Sequence, residues 1–292
     1  MRFHPCLNGN TRSSIFEKRS RVPKERILIA VKTYPTLSEK YRELACTAGF
    51  RENGEWIRLY PIPFRLLKDD KRYKKYQWIE VDIAPNKGDP RPESHRVLNT
   101  DDIRLMEEIG TERQWSDRRK LILSRNTIYT NLKELIGLAK ANKLSLAVFK
   151  PTEILDVTVE VTDPEWAQDK LDAVLNSFKQ RNLFEDQNPE DFKVMPKLPY
   201  KFSYRFKDDV GTESKLMIED WEIGQLYWNC LKKYSPEQSA QKVRQKYFDD
   251  FAKTKDLHLF LGTTREWHGR AKNPFVIIGT FHPPHITQES FL

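Results

Sequence analysis

The sequence predicts a mixed α+β fold: an N-terminal small β-barrel-like module with helices, then a C-terminal mixed α/β module. Three observations predict it. Several short alternating or β-branched runs joined by tight turns crowd the stretch from Ile27 to Ile83, the pattern of small barrels of the OB-like kind. Helical periodicity takes over between about 101 and 142, with Ile128, Leu132, Leu135, Ile136 and Ala139 at helical spacing. Beyond residue 150, strands and helices alternate again. The organisation expected is a flexible basic arm over 1–25, the small-barrel module over 26–150, and the mixed α/β module over 151–292.

The elements follow in order. The arm holds Gly9, Asn10 and Ser13, then Lys18, Arg19, Arg21 and Lys24. Ile27-Leu28-Ile29-Ala30-Val31 is a continuous apolar run and reads as a buried strand. Leu44 to Phe50, the turn Asn53-Gly54 and Trp56 to Tyr60 form a hairpin, which Pro61 and Pro63 end. Gln77 to Ile83 alternates as a strand. A helix capped by Asp101 or Asp102 is expected through Ile109, a second over Ser116 to Leu123, and a third from Thr127 to Asn142. Strands follow at Leu144 to Phe149 and Ile154 to Val161. Asp163-Pro164 opens a helix to about Phe184. Residues 185–198 read as a linker. A hairpin is expected from Tyr200-Lys201-Phe202-Ser203-Tyr204-Arg205-Phe206 to Ser214–Ile218, with Phe202, Tyr204 and Phe206 on one face. Two helices, Asp220 to Lys233 and Ser235 to Ala252, precede strands at Leu257 to Leu261 and Pro274 to Phe281.

Composition bounds the function. The chain of 292 residues is 38% hydrophobic and 12% aromatic, enough for a core. A formal charge of +8 and a pI near 9.2 point to an anionic partner, nucleic acid before membrane. Three cysteines, Cys6, Cys46 and Cys230, make neither a disulfide framework nor a zinc ribbon, and reduced thiols fit a cytoplasmic location. No apolar run is long enough to span a bilayer, and no signal peptide is evident. No metal and no cofactor are expected.

The strongest functional signal is basic residues interleaved with aromatics. Seven Lys/Arg against two acids lie between Arg58 and Lys75, with Tyr60, Phe64, Tyr73 and Tyr76 in or beside the run. Arg58, Arg65, Lys71, Arg72, Lys74 and Lys75 are expected to contact phosphates, and Tyr73 and Tyr76 to stack or wedge between bases. The competing reading is a loop whose aromatics pack inward. The proline-framed segment Asp89-Pro90-Arg91-Pro92-Glu93-Ser94-His95 offers Arg91 for a base or positioning contact. It also offers Glu93 and His95 as acid and base, or a set of charges that satisfy one another. Cys46 is a candidate nucleophile or a small buried side chain. The carboxylates of Ile218-Glu219-Asp220-Trp221-Glu222 suit a divalent metal less well than a helix cap. His258, His268, His282 and His285 match no zinc pattern. Gly262-Thr263-Thr264-Arg265 lacks the ending of a phosphate loop.

Three segments together carry a resemblance: Ala30-Val31-Lys32-Thr33-Tyr34-Pro35 with Cys46-Thr47-Ala48-Gly49; Glu55-Trp56-Ile57-Arg58-Leu59-Tyr60-Pro61; and Ile218-Glu219-Asp220-Trp221-Glu222-Ile223-Gly224 with Phe275-Val276-Ile277-Ile278-Gly279. The chain resembles a group of largely uncharacterised prokaryotic proteins of mobile elements and phage-defence or DNA-modification clusters. The resemblance implies a nucleic-acid-binding component of such a system, DNA favoured. Where some of that group hold Cys/His residues, this chain has Asp208-Asp209-Val210-Gly211, which puts a zinc role there in doubt. Two alternatives stand beside this expectation. One is an enzyme modifying a DNA base, with Cys46 as nucleophile and Glu93 or His95 carrying the proton. The genomic setting implied by the resemblance suggests nitrile-to-amide conversion on a 7-deazaguanine. The other is a protein-interaction subunit that meets other proteins of the same system.

Overall fold

A computed structural model describes residues 24–38, 42–182 and 194–286. The arm up to residue 23, with Cys6, and most of the expected linker lie outside these residues. The fold is mixed α+β, with a curled half-barrel sheet in the N-terminal region and helices with further sheets beyond it.

The first sheet contains β1 (Glu25–Lys32), β2 (Thr36–Ser38), β3 (Arg42–Arg51), β4 (Trp56–Ile62), β5 (Gln77–Val81), β6 (Ile83–Pro85), β7 (Ser94–Val97) and β8 (Arg104–Glu108). Its order is β6-β7-β4-β3-β1-β5-β8, with β2 added on β3. The β3–β4 hairpin turns at Gly54, whose φ of 92° suits glycine. The central run of β1, Ile27 to Val31, is apolar because both of its faces are covered. Ile27 and Ile29 face the inside of the curl with Leu59, Ile79 and Val81, whereas Leu28 and Ala30 face the second sheet.

The expected helix over 101–109 is a correction. Thr100–Asp102 forms one 3-10 turn, capped by Asn99, and the chain then extends as β8 against β5, with Gln77 opposite Glu108. The open edge of β5 supplies a ladder of backbone partners that the local polar sequence cannot reveal.

After α1 (Glu112–Ile122) come β9 (Ile128–Tyr129), α2 (Leu132–Lys140) and β10 (Leu146–Phe149). The second sheet runs β15-β14-β10-β9, using β14 (His258–Thr263) and β15 (Phe275–Phe281). A third sheet joins β11 (Glu153–Val161), β12 (Tyr200–Lys207) and β13 (Glu213–Met217). The helices α3 (Gln168–Asn182), α4 (Trp221–Leu231) and α5 (Pro236–Gln245) complete the chain, and a π-helical stretch over Lys246–Ala252 extends α5. Phe202, Tyr204 and Phe206 are buried in the C-terminal core. Among the described residues no helix is long and apolar enough to cross a membrane.

One core binds the two halves together. Leu28, Phe50 and Trp78 of the first sheet pack with Leu146, Val148, Phe260 and Phe281 of the second. The Trp56 and Phe260 rings meet edge to face at 5.3 Å. The two sheets therefore stack, and the end of their seam is where the site lies.

Candidate functional site

A cavity of about 800 Å³ opens where the two sheets meet. Its first wall comes from Thr33 and Tyr34 after β1, Cys46 on β3, Arg58 and Tyr60 on β4, and Arg91 in the loop before β7. The opposite wall is the end of β14 and the turn after it, with Thr263, Thr264, Arg265, His268 and Arg270. Glu219, just before α4, Glu266 beside Arg265, and Lys170 on α3 also line the cavity. Five cationic side chains, Arg58, Arg91, Lys170, Arg265 and Arg270, thus face two acidic ones, Glu219 and Glu266.

The deepest cations are held rigidly. Arg58 is 1% exposed. Its two terminal nitrogens donate to Ser145, Nη1 to Oγ and Nη2 to the backbone oxygen at 3.2 Å. Ser145 in turn donates to Glu93, from Oγ and from its backbone N at 2.8 Å. Burial lowers the pKa of Arg58, and the Glu93 and Asp89 carboxylates nearby partly oppose that shift. Arg91, equally buried, forks onto Asp89 at 2.9 and 2.6 Å, while its Nη1 donates to the Thr263 backbone oxygen at 2.6 Å. Burial would raise Asp89, but the bonds from Arg91 and Ser94 pull it down to about 2. His268 spans the gap: Nε2 donates to Asn142 Oδ1 at 2.8 Å, and Nδ1 accepts from the Thr263 hydroxyl at 2.9 Å. Burial, then Arg91 and Arg58, lower its pKa, so the ring is neutral near pH 7. Glu219 is the counterpart: burial raises its carboxyl.

The basic stretch behaves differently from its expected role as a phosphate-tracking face. Of its cations only Arg58 reaches the cavity. Arg65 pairs with Glu43, Arg72 binds Asp69 and the backbone oxygens of Leu67 and Arg65, and Lys71 reaches the Ile103 oxygen at 3.0 Å. Lys74 meets Glu108 at 2.6 Å on the surface. Lys75 is buried, 2.9 Å from Glu222 and 3.8 Å from Asp220. Tyr73 and Tyr76, expected to stack or wedge between bases, are both buried, Tyr73 bonded to the Thr47 hydroxyl at 2.7 Å and Tyr76 packed near Phe281. Phe64, Leu67 and Tyr73 of this loop pack into the core on the inside of the curled sheet with Ile27, Ile29 and Leu59.

Cys46 is brought into the cavity, but Glu93 and His95 are not. They line a second cavity of about 480 Å³ with Arg51, Trp56, Asn126 and Lys143. Glu93 is committed to Ser145, and His95 Nδ1 lies 3.0 Å from the Glu93 backbone oxygen. The metal reading of Glu219, Asp220 and Glu222 gives way to helix capping: Asp220 accepts from the Glu222 backbone N at 3.1 Å as the N-cap of α4, and Glu222 turns to Lys75. Asp208 accepts from the backbone N of Val210 and Thr212, which fixes the β12–β13 turn.

In the sequence Arg265 stood out only as part of an incomplete phosphate loop, and Trp267 and Arg270 were not singled out. The signal was present, since Arg265-Glu266-Trp267-His268-Gly269-Arg270 interleaves basic and aromatic residues just as the 58–75 stretch does. Trp267 is 52% exposed, between two residues that line the cavity.

Two family models match the chain, each described as a domain of unknown function: DUF8758 over residues 23–124 and DUF8757 over residues 128–292. Their junction falls between α1 and β9, and the cavity is lined from both sides of it. No curated protein matches the chain.

Proposed function

The chain belongs to the DUF8757 family, which covers residues 128–292 and assigns no activity, and from that premise we propose that it is a nucleic-acid-binding protein whose binding site is the arginine-lined cavity. The observation that carries this reading is that, with Arg91 paired to Asp89, four further cations, Arg58, Lys170, Arg265 and Arg270, stand against two acids around one concave site bordered by the exposed Trp267. Guanidinium groups suit phosphates, and an exposed indole beside them offers a stacking platform for an unpaired base. An unpaired strand fits this concavity better than a duplex, because the deepest arginines lie below the surface. The resemblance of three segments to proteins of phage-defence and DNA-modification clusters supports DNA as the nucleic acid.

The test is binding of fluorescent single-stranded DNA, double-stranded DNA and RNA across a salt series. Steep weakening with salt is expected for the wild type. Arg265→Ala and Arg270→Ala should each flatten the log–log slope by about 1. Absence of binding at low salt sinks the reading.

A second reading keeps its place because Cys46 lines the same cavity as Arg58. An enzyme acting on a DNA base would use Cys46 as nucleophile, and Glu219 rather than Glu93 or His95 would lie in the same cavity to carry a proton. Cys46→Ala would then leave affinity intact and abolish turnover.

A further inference from the structure

Arg58 is a buried cation whose direct partners carry no charge. Its recorded bonds go to the hydroxyl and backbone oxygens of Ser145, and Glu93 reaches it only through that serine. Its Nε–H has no partner among the described residues. Arg91, beside it, is neutralised by Asp89. A buried charge without a direct counter-ion is costly, and folding tolerates it where a ligand supplies the missing charge. The Thr264 hydroxyl, also lining the cavity, is a second buried polar group without a partner.

We propose that the floor of this cavity binds the terminal phosphate of a nucleotide, presented at the end of a strand or on a free mononucleotide. Arg58 donates to the phosphate oxygens from below, Thr264 donates from the side, and Arg265 and Arg270 hold the nucleotide nearer the mouth. The site rests on the nucleic-acid reading for its strand-end form, but the phosphate floor stands independently of it. Two arguments select a terminal phosphate. An internal phosphodiester reaches Arg58, 1% exposed, only if the nucleotides on both sides descend with it. A monoester descends alone, and near neutral pH it carries about −1.5 to −2 charge where a diester carries one. An extruded base would instead bring a neutral edge to the floor and leave Arg58 uncompensated.

The experiment compares one single-stranded oligonucleotide in three forms: 5′-phosphorylated, 3′-phosphorylated and with hydroxyl ends. Each is titrated against the full-length protein, and a nucleoside 5′-monophosphate and its parent nucleoside serve as competitors. One phosphorylated form is expected to bind at least about tenfold tighter than the hydroxyl form, the scale of a charge-assisted hydrogen bond. The monophosphate should compete and the nucleoside should not. Arg58→Gln should erase the difference between the strands; the competition arm uses wild-type protein and holds even if that variant fails to fold. Equal binding of all three strands with no competition by the monophosphate overturns the phosphate floor and leaves nucleic-acid binding standing. Direct binding of the monophosphate but not of its nucleoside, read by isothermal titration calorimetry, with no strand bound at all, supports the floor and overturns the nucleic-acid reading.

Discussion

Lys75 separates the two meanings a lysine can have in a basic stretch. It is buried against Glu222 and Asp220, and its Nζ also donates to the Thr280 oxygen at 3.2 Å. Burial works to lower its pKa, but the two carboxylates prevail and hold it raised. Lys75→Ala removes the cation and leaves the buried Asp220 carboxylate without it, while the half-exposed Glu222 turns to water. The expected cost is about 2–3 kcal/mol of unfolding free energy, less than for a fully buried pair and read by urea denaturation. A phosphate contact would behave oppositely, changing affinity and its salt slope with little effect on stability. Arg58 and Arg265, by contrast, face the cavity, one fixed from below and the other at its upper wall. Basic residues therefore play three parts within one chain, and spacing along the sequence does not distinguish them.

At the scale of elements, close approach and capping decide what can be changed. At Gly49 on β3 an added Cβ would lie 2.0 Å from the Leu28 carbonyl oxygen on β1. That oxygen belongs to backbone and cannot move without breaking the pairing of Leu28 with Phe50. Gly49→Ala is expected to destabilise by about 3 kcal/mol or more, seen as a lowered Tm. Helix α5 starts with a capping box, the Ser235 hydroxyl accepting from the Gln238 backbone N and the Gln238 side chain returning to the Ser235 backbone N. Ser235→Ala should cost about 1 kcal/mol, measurable by the same denaturation. Such signals are local, so α5 and its start were legible from Ser235-Pro236-Glu237. The segment that becomes β8 carried acidic capping residues too, and there the open edge of β5 overrode them.

For the whole molecule, acid should be the sensitive direction. Burial, with Lys75 adding to it, lowers His282 to about 3, and burial with Lys150 lowers His258 to about 4. Both rings bind fewer protons folded than unfolded, so their contribution is full above about pH 6.5 and is lost as pH falls toward 4. Asp220 opposes them. Burial raises it to about 6, so it binds more protons folded than unfolded between about pH 4 and 6, and its contribution fades as pH rises through 6. Two histidines outweigh one aspartate. Unfolding free energy is expected to fall by about 3 kcal/mol between pH 7 and pH 4.5; a flat profile there would contradict the burial of both rings. His282 stacks on Phe251 at 3.6 Å, while His258 lies 6.1 Å from Phe281. The acid response therefore reports on packing between β15, the π-helical stretch and β14.

The sequence by itself determined the class of fold and most of its elements, because alternation, helical spacing, Asn53-Gly54 and Ser235-Pro236 act over a few residues. It also singled out Arg58, Arg91 and Cys46 as chemically notable. The tertiary structure alone decided that these three share one cavity with Arg265, His268 and Arg270, more than 170 residues further along the chain. It also decided that Tyr73, Tyr76 and Lys75 belong to the interior. Burial and charge pairing depend on which surfaces the sheets bring together, and here the stacking of two sheets turned part of a basic stretch into core and a distant turn into the cavity wall.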